Sequence, residues 1–190
     1  KKIKLYSARN AAISKAKGEF IAFLDTDDYW MKNKILDQLK ILNNRKVFIS
    51  YTNFWIKDGK KFKIFKKGKL PSGKITRDIL LDYPIYISTV VLKTEILLKN
   101  KIKFNPNYEI LGDLDLFYRL SKKYNFIPVQ HPSSVYRSHS HNTSKKRVDL
   151  KIFEMDDWLR KNKNTKNQYL FKNIEIENLY TKCNYFIAND

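Results

Sequence analysis

The chain has 190 residues, a length that suits one domain or one domain with an appendage. Apolar residues make up 43% of it, with 12 Phe and 12 Tyr, so it can bury a core and is not a disordered chain. Lys and Arg number 38 against 19 Asp and Glu; the formal net charge of +19 excludes an acidic surface and favours phosphates, nucleic acid or anionic lipid.

The opening KKIKLYSARNAAISKAKGEF is basic and lacks the apolar stretch and small-residue cleavage site of a signal peptide. Within it AAISKAKG reads as a short helix closed by Gly18. EFIAFLD reads as a buried strand. YWMKNKILDQLKIL places Met31, Ile35, Leu39 and Leu42 on one helical face. KVFISYTNFWI alternates as a strand does, and Asp58-Gly59 marks a hairpin turn before KFKIF. ITRDILLDY is a short helix that must stop before Pro84. IYISTVVL is a β-branched strand, and Thr94 is placed to cap the helix EILLKN. DLDLFYRLSKKY is the next helix, with Leu116 and Leu120 on one face, and FIPVQ and SVYRSH read as two strands. From about residue 146 the pattern turns helical, as RVDLKIFEMDDWLRK and KNQYLFKNIEIENLYTKCNYFI around the polar stretch NKNTKN.

No apolar run approaches the ~20 residues of a membrane span. The single Cys183 excludes an intrachain disulfide and fits a reducing, cytoplasmic compartment. Strands alternating with helices through residue 137 predict an α/β fold over 1–145, followed by a helical appendage over 146–190. A parallel sheet needs neighbours on both sides of its central strand, and the strands here are few. The sequence is therefore expected to lack an N-terminal portion. The excess charge reads either as compositional bias or as peripheral attraction to an anionic inner-membrane face, with the basic helices after residue 146 resting on it.

FLDTDDYW, residues 23–30, sets three carboxylates within four positions after an apolar run. Capping of a helix beginning near Tyr29, by Asp28 or Thr26, contributes ~1 kcal/mol. It accounts for one aspartate. Two carboxylates ~4 Å apart repel by ~4 kcal/mol near a protein surface. A divalent cation would relieve all three, and Mg²⁺ or Mn²⁺ with a phosphate ligand suits oxygen donors at the carboxyl end of a strand. An aspartyl-phosphate phosphatase of the haloacid dehalogenase type would need Gly and Thr or Val after D-x-D; here Asp27 is followed by Asp28, Tyr29 and Trp30.

SARNAAISKAKGEFIAFLDTDDYW resembles the family 2 glycosyltransferases of the GT-A fold. It supplies Ala8-Arg9-Asn10, Ala16-Lys17-Gly18, and Leu24-Asp25-Thr26-Asp27-Asp28 with Trp30. The resemblance continues through ISTVVLKTEILLKNKIKFNPNYEILGDLDLFYRL, from Ser88 and Thr89 to Asp113-Leu114-Asp115-Leu116 and Arg119, and closes at VYRSHSHNTS. It spans roughly residues 5 to 145. It implies a partial GT-A-like mixed sheet flanked by helices, without the first nucleoside-binding segments. It also implies that Arg9, Asp25, Asp27 and Asp28 bind the donor, that Asp27 and His139 hold Mn²⁺ or Mg²⁺, and that Asp113 is the general base. The implied reaction is inverting transfer of a sugar from a nucleotide-sugar, a UDP-sugar, to a surface-glycan or lipid-linked acceptor.

The chemistry is consistent with this. The acceptor hydroxyl must lose a proton as it attacks, and a placed carboxylate can take it; a metal stabilises the leaving diphosphate. Taken alone, Asp113 also fits a helix N-cap, and His139 and His141 fit surface loop positions. A His-x-His zinc site lacks a third nitrogen or sulfur ligand nearby. Asp115 and Arg119, at i,i+4, form a structural ion pair. The departure from the family is Gly112 where a Glu is usual, with Glu109 near enough to substitute. The alternative reading is a non-catalytic basic module binding nucleic acid or anionic lipid. No RNP, zinc-finger or Gly-rich RNA-binding pattern supports it, so nucleic acid is not an expected partner.

Overall fold

The computed structural model describes residues 3–164 and 167–189. Thr165 and Lys166 of the polar stretch between the last two helices lie outside them. A mixed sheet organises the chain. Its strands are β1 (Phe20–Ala22), β2 (Tyr29–Trp30), β3 (Ile49–Asp58), β4 (Lys61–Ile64), β5 (Val91–Lys93) and β6 (Phe126–Ser138). The order is β1-β5-β3-β6-β2, with β4 paired to residues 55–58 of β3. β3 and β6 form the long parallel pair, and the other pairings are antiparallel. The hairpin at Asp58-Gly59 is present, with Gly59 at φ 55, where a side chain would be strained.

Several elements differ from the sequence pattern for physical reasons. FIPVQ and SVYRSH are one strand, kept continuous across Pro128 and Pro132 by register shifts around Asn53. Proline donates no ladder hydrogen bond. The Asn53 side chain instead accepts from Phe54 N at 2.9 Å and donates to Lys66 O at 2.8 Å. EFIAFLD is a short strand paired only to β5 among the described residues, and Leu24 is exposed. In IYISTVVL only Val91–Lys93 is strand, and Ile87–Thr89 forms a 3₁₀ turn. The helix predicted at AAISKAKG is α1 (Leu5–Lys15); it starts earlier and ends before Gly18, which adopts no left-handed cap.

The helix predicted from Tyr29 is α2 (Lys34–Leu42), because Tyr29 and Trp30 pair with β6. Its buried positions are Lys34, Gln38 and Leu42, while Met31 is exposed. Thr94 holds the N-cap position of α4 (Glu95–Leu98) as expected but makes no side-chain cap bond; its hydroxyl donates to Gly18 O at 2.6 Å and ties that helix to the strand entry.

α3 (Thr76–Leu81) and α5 (Gly112–Ser121) form as predicted, with Leu116 and Leu120 fully buried. After β6 come α6 (Thr143–Lys146), α7 (Val148–Asn162) and α8 (Lys172–Ile187). Trp158 and Phe171 close on Tyr118 of α5, with ring centroids 5.0 and 6.1 Å away, and fasten this helical region to the core. α7 and α8 are not basic. α7 sets Lys151, Arg160 and Lys161 against Asp149, Glu154, Asp156 and Asp157, and α8 sets Lys172 and Lys182 against Glu175 and Glu177. Among the described residues no helix is long and apolar enough to cross a membrane.

Candidate functional site

The acidic run folds as a tight turn at the end of β1, with Asp28 N donating to Asp25 O at 3.0 Å. Helix capping does not explain it. α2 starts after β2, at Lys34, and has no side-chain cap. The three carboxylates are instead sent in three directions. Asp25 pairs with the Arg9 guanidinium. Asp28 is buried, and its oxygens accept from Tyr86 Oη at 2.6 Å, Ser88 Oγ at 2.8 Å and Arg137 N at 3.2 Å. Burial pushes the Asp28 carboxyl up, opposed by the hydrogen bonds from Tyr86 and Ser88. It anchors the turn to the 3₁₀ segment and to β6.

Asp27 is the member left open. Its Oδ2 lies 3.0 Å from His139 Nε2 and 3.4 Å from Asn142 Nδ2, and both the aspartate and the histidine keep more than a third of their side-chain surface exposed. The Arg137 guanidinium binds the Asp27 carbonyl. Repulsion is thus relieved by protein partners at Asp25 and Asp28, and a cation is required for neither.

Asp113 sits in the first turn of α5, and its Oδ1 accepts from Leu114 N at 2.9 Å. Leu111 holds the N-cap position, so Asp113 is not the cap. Burial pushes its carboxyl up to about 6, partly offset by the Leu114 hydrogen bond and by Arg9. The donors that precede the helix are taken by Glu154 of α7. This buried carboxylate accepts from the backbone N–H groups of Glu109 at 2.6 Å, Ile110 at 2.9 Å and Leu111 at 2.9 Å. Glu109 pairs with Lys4 at 2.9 Å, whose hydrogen bond holds its carboxyl below the usual range.

The two acidic segments meet through α1. Arg9 pairs with Asp25 and lies over the rings of Tyr6 and Phe104, 5.4 and 5.8 Å from their centroids. The Tyr6 hydroxyl donates to Ile110 O at 2.9 Å and lies 3.4 Å from Asp113 Oδ1. Asp25, Arg9, Tyr6 and Asp113 therefore form one connected group. The predicted ion pair of Arg119 with Asp115 is present at 2.8 Å.

Asp27 and His139 also line a cleft of about 350 Å³ with Lys57, Gly59, Arg137 and Ser138. Among the described residues no three His, Cys, Asp or Glu side chains gather to hold a metal. Asp27 Oδ2 and His139 Nε2, 3.0 Å apart, are an oxygen and a nitrogen donor that would fit a divalent cation. His139 Nδ1 accepts from His141 N at 3.2 Å, which puts the ring proton on Nε2. Ligation through Nε2 requires the other tautomer and gives up that long contact. His141 contributes this backbone contact rather than a second imidazole ligand.

Sequence pattern missed Tyr6, Tyr86, Asn142 and Glu154. Each makes a contact with a residue between 43 and 115 positions away, and no local motif marks those contacts.

Comparison with known proteins bears on this arrangement. The model of glycosyl transferase family 2 matches residues 1–95, half the chain. The glucosyltransferase WfaP of Escherichia coli, named for transfer from UDP-Glc to alpha-D-GlcNAc-diphosphoundecaprenol, is 53% identical over 49 residues, 26% of this chain and 20% of that protein. The amylovoran biosynthesis glycosyltransferase AmsB of Erwinia amylovora is 30% identical over 139 residues, 68% of this chain and 45% of that one. The structure of S. aureus TarS 1-349 in complex with UDP superposes with a TM-score of 0.55 at 18% identity, over 87% of this chain and 49% of TarS 1-349. The chain thus spans less than half the length of each. The structural likeness bears out the expected GT-A-like mixed sheet flanked by helices, with a helical C-terminal region. With the family model matched over the acidic turn and the α1 arginine that the fold brings together, the chain belongs to glycosyl transferase family 2.

Proposed function

We propose that the chain carries the catalytic chemistry of an inverting glycosyltransferase. It would move a sugar from a UDP-sugar to a surface-glycan or lipid-linked acceptor. The observation that carries this reading is the connected group Asp25–Arg9–Tyr6–Asp113, which sets a carboxylate of raised proton affinity beside the acidic turn. The donor and acceptor named for WfaP, and the UDP bound in TarS 1-349, are compatible with it.

In this reading Arg9 and Asp25 bind the donor, and Asp28 holds the turn in place. Asp113 takes the proton of the attacking hydroxyl, for which a carboxyl titrating near 6 is better matched than an ordinary aspartate. Asp27 and His139 would hold Mn²⁺ or Mg²⁺, which when bound neutralises charge on the leaving diphosphate. Anionic membrane association at the inner face would bring a lipid-linked acceptor to the cleft.

The test is made in the full-length protein. Asp27→Ala and Asp113→Asn should each abolish transfer, and Mn²⁺-dependent UDP binding should be lost in Asp27→Ala alone. Full transfer by either variant, or binding of random oligonucleotides in place of UDP, rejects the reading.

A further inference from the structure

The fold uses one face of α8 and leaves the opposite one bare. Ile174 and Asn178 are buried, Ile174 in the core and Asn178 against α7, where its amide donates to Asp156 at 2.8 Å. Lys182 pairs with the same aspartate at 2.8 Å. On the far side Ile176, Leu179, Tyr180, Phe186 and Ile187 each keep between 57 and 76% of their surface exposed, and Cys183 is exposed among them. At 3.6 residues per turn these six positions fall within about 120° of arc.

Area, spacing and charge point to one occupant. At roughly 100 Å² or more for each half-exposed aliphatic or aromatic side chain, the bare face presents about 600 Å², the top of the range that a monomer ordinarily shows. Two copies laid together would remove up to about 1,200 Å², which reaches the lower bound for a stable protein–protein interface. Ile176, Leu179, Cys183 and Phe186 recur at intervals of 3, 4 and 3 positions, the seam of paired helices. α8 sets Lys172 and Lys182 against Glu175 and Glu177, so it is neutral in a chain of net charge +19. Two strongly basic molecules approach one another there with little repulsion. An anionic lipid surface would instead call for Lys and Arg along the polar face.

We propose that α8 is a self-association surface, through which two copies of this chain pair helix against helix along the seam Ile176, Leu179, Cys183 and Phe186. The pairing does not depend on the transferase reading. It does bear on the site, because α8 rests on α7, and α7 carries the Glu154 that binds the loop into α5. A partner copy pressed on α8 would brace that pair of helices from outside.

The experiment is sedimentation equilibrium of the full-length protein over a concentration series, with Ile176→Glu and Leu179→Glu beside the wild type. The wild type should be a dimer, and each variant should weaken the pairing by about tenfold or more. Both positions face solvent in the single copy, so the helical circular dichroism of the variants should be unchanged. A second measurement needs no variant: a short bismaleimide should join two wild-type copies, with peptide mapping placing the cross-link at Cys183 on both. A dimer that both variants leave intact, or one that gives no cross-link at Cys183, has its interface elsewhere and overturns the proposal. A wild-type monomer overturns it too. Protection of Cys183 from a thiol reagent in that monomer would show that another part of the same chain covers the face. Binding of the monomer to phosphatidylglycerol vesicles, lost in Leu179→Glu, would assign the face to lipid instead.

Discussion

Glu154→Ala tests the claim that α7 fixes the position of Asp113. Glu154 is 2% exposed, and its two oxygens receive three successive backbone N–H groups of the loop that leads into α5. Truncation leaves those donors without partners. A buried orphaned donor costs about 1–3 kcal/mol. Only the Leu111 donor is fully buried, and water can reach the other two. Removing a buried carboxylate also recovers its desolvation cost. The net loss should be about 3 kcal/mol, a substantial part of the 5–15 kcal/mol typical of a domain. Glu154→Gln keeps an oxygen for one side of the loop but turns an amide donor toward the other, so it should lose about 1–2 kcal/mol. Urea unfolding followed by tryptophan fluorescence gives both values. A shift below about 1 kcal/mol for Glu154→Ala would show that the loop is held by other contacts and refute the assignment.

Two further predictions concern pH. Burial raises the Asp113 carboxyl from 3.8 to about 6, so the folded state binds this proton more tightly than the unfolded chain. Its stabilising contribution is complete below about pH 4 and is lost as pH rises through about 6; Asp113→Asn should flatten that segment of the urea-midpoint profile, and an unchanged profile would contradict it. Desolvation lowers Lys34 from 10.5 to about 7, so the unfolded chain binds this proton more tightly. Stability should therefore rise with pH between about 7 and 10.5, and Lys34→Met should remove that rise; an equal slope in the variant would rule out Lys34 as its source.

What could be read from sequence was whatever lies within one element or one motif. The hairpin at Asp58-Gly59, the Leu116–Leu120 face and the i,i+4 pair of Asp115 with Arg119 depend on spacing alone. The acidic turn and α1 arginine were legible because they form a contiguous segment. The α2 face was misread because periodicity marks Met31 and Ile35 as core, whereas β2 removes Met31 from the helix. The buried Lys34 ammonium is accommodated by Gln38 Oε1 at 2.7 Å and by the Trp30 ring at 4.4 Å. IYISTVVL reads as strand by propensity, but Ser88 serves the turn: its carbonyl accepts from Trp30 Nε1 and its hydroxyl binds Asp28, which favours a 3₁₀ bend. Contacts of this kind join segments about 60 positions apart, and no local pattern encodes them.

The glycine at 112 shows how a local departure from a family pattern can have a distant cause. Gly112 has no positive φ, so it is not there for backbone freedom. A Cβ at this position would lie 2.5 Å from the Tyr6 ring, a separation that real packing does not permit. The space where a glutamate side chain would begin is filled by a tyrosine from the start of α1. That tyrosine is stacked on Phe104 at 5.2 Å and fixed through its hydroxyl to Ile110 O. The replacement changes the electrostatics as well as the shape. A second carboxylate beside Asp113 would raise its proton affinity by like-charge repulsion. A neutral phenol, whose own titration burial pushes far upward, cannot do so. Here burial does the raising, opposed by Arg9. The raised proton affinity of Asp113 therefore comes first from its burial, with Asp25 adding to it, where the family pattern would set a second acid beside it.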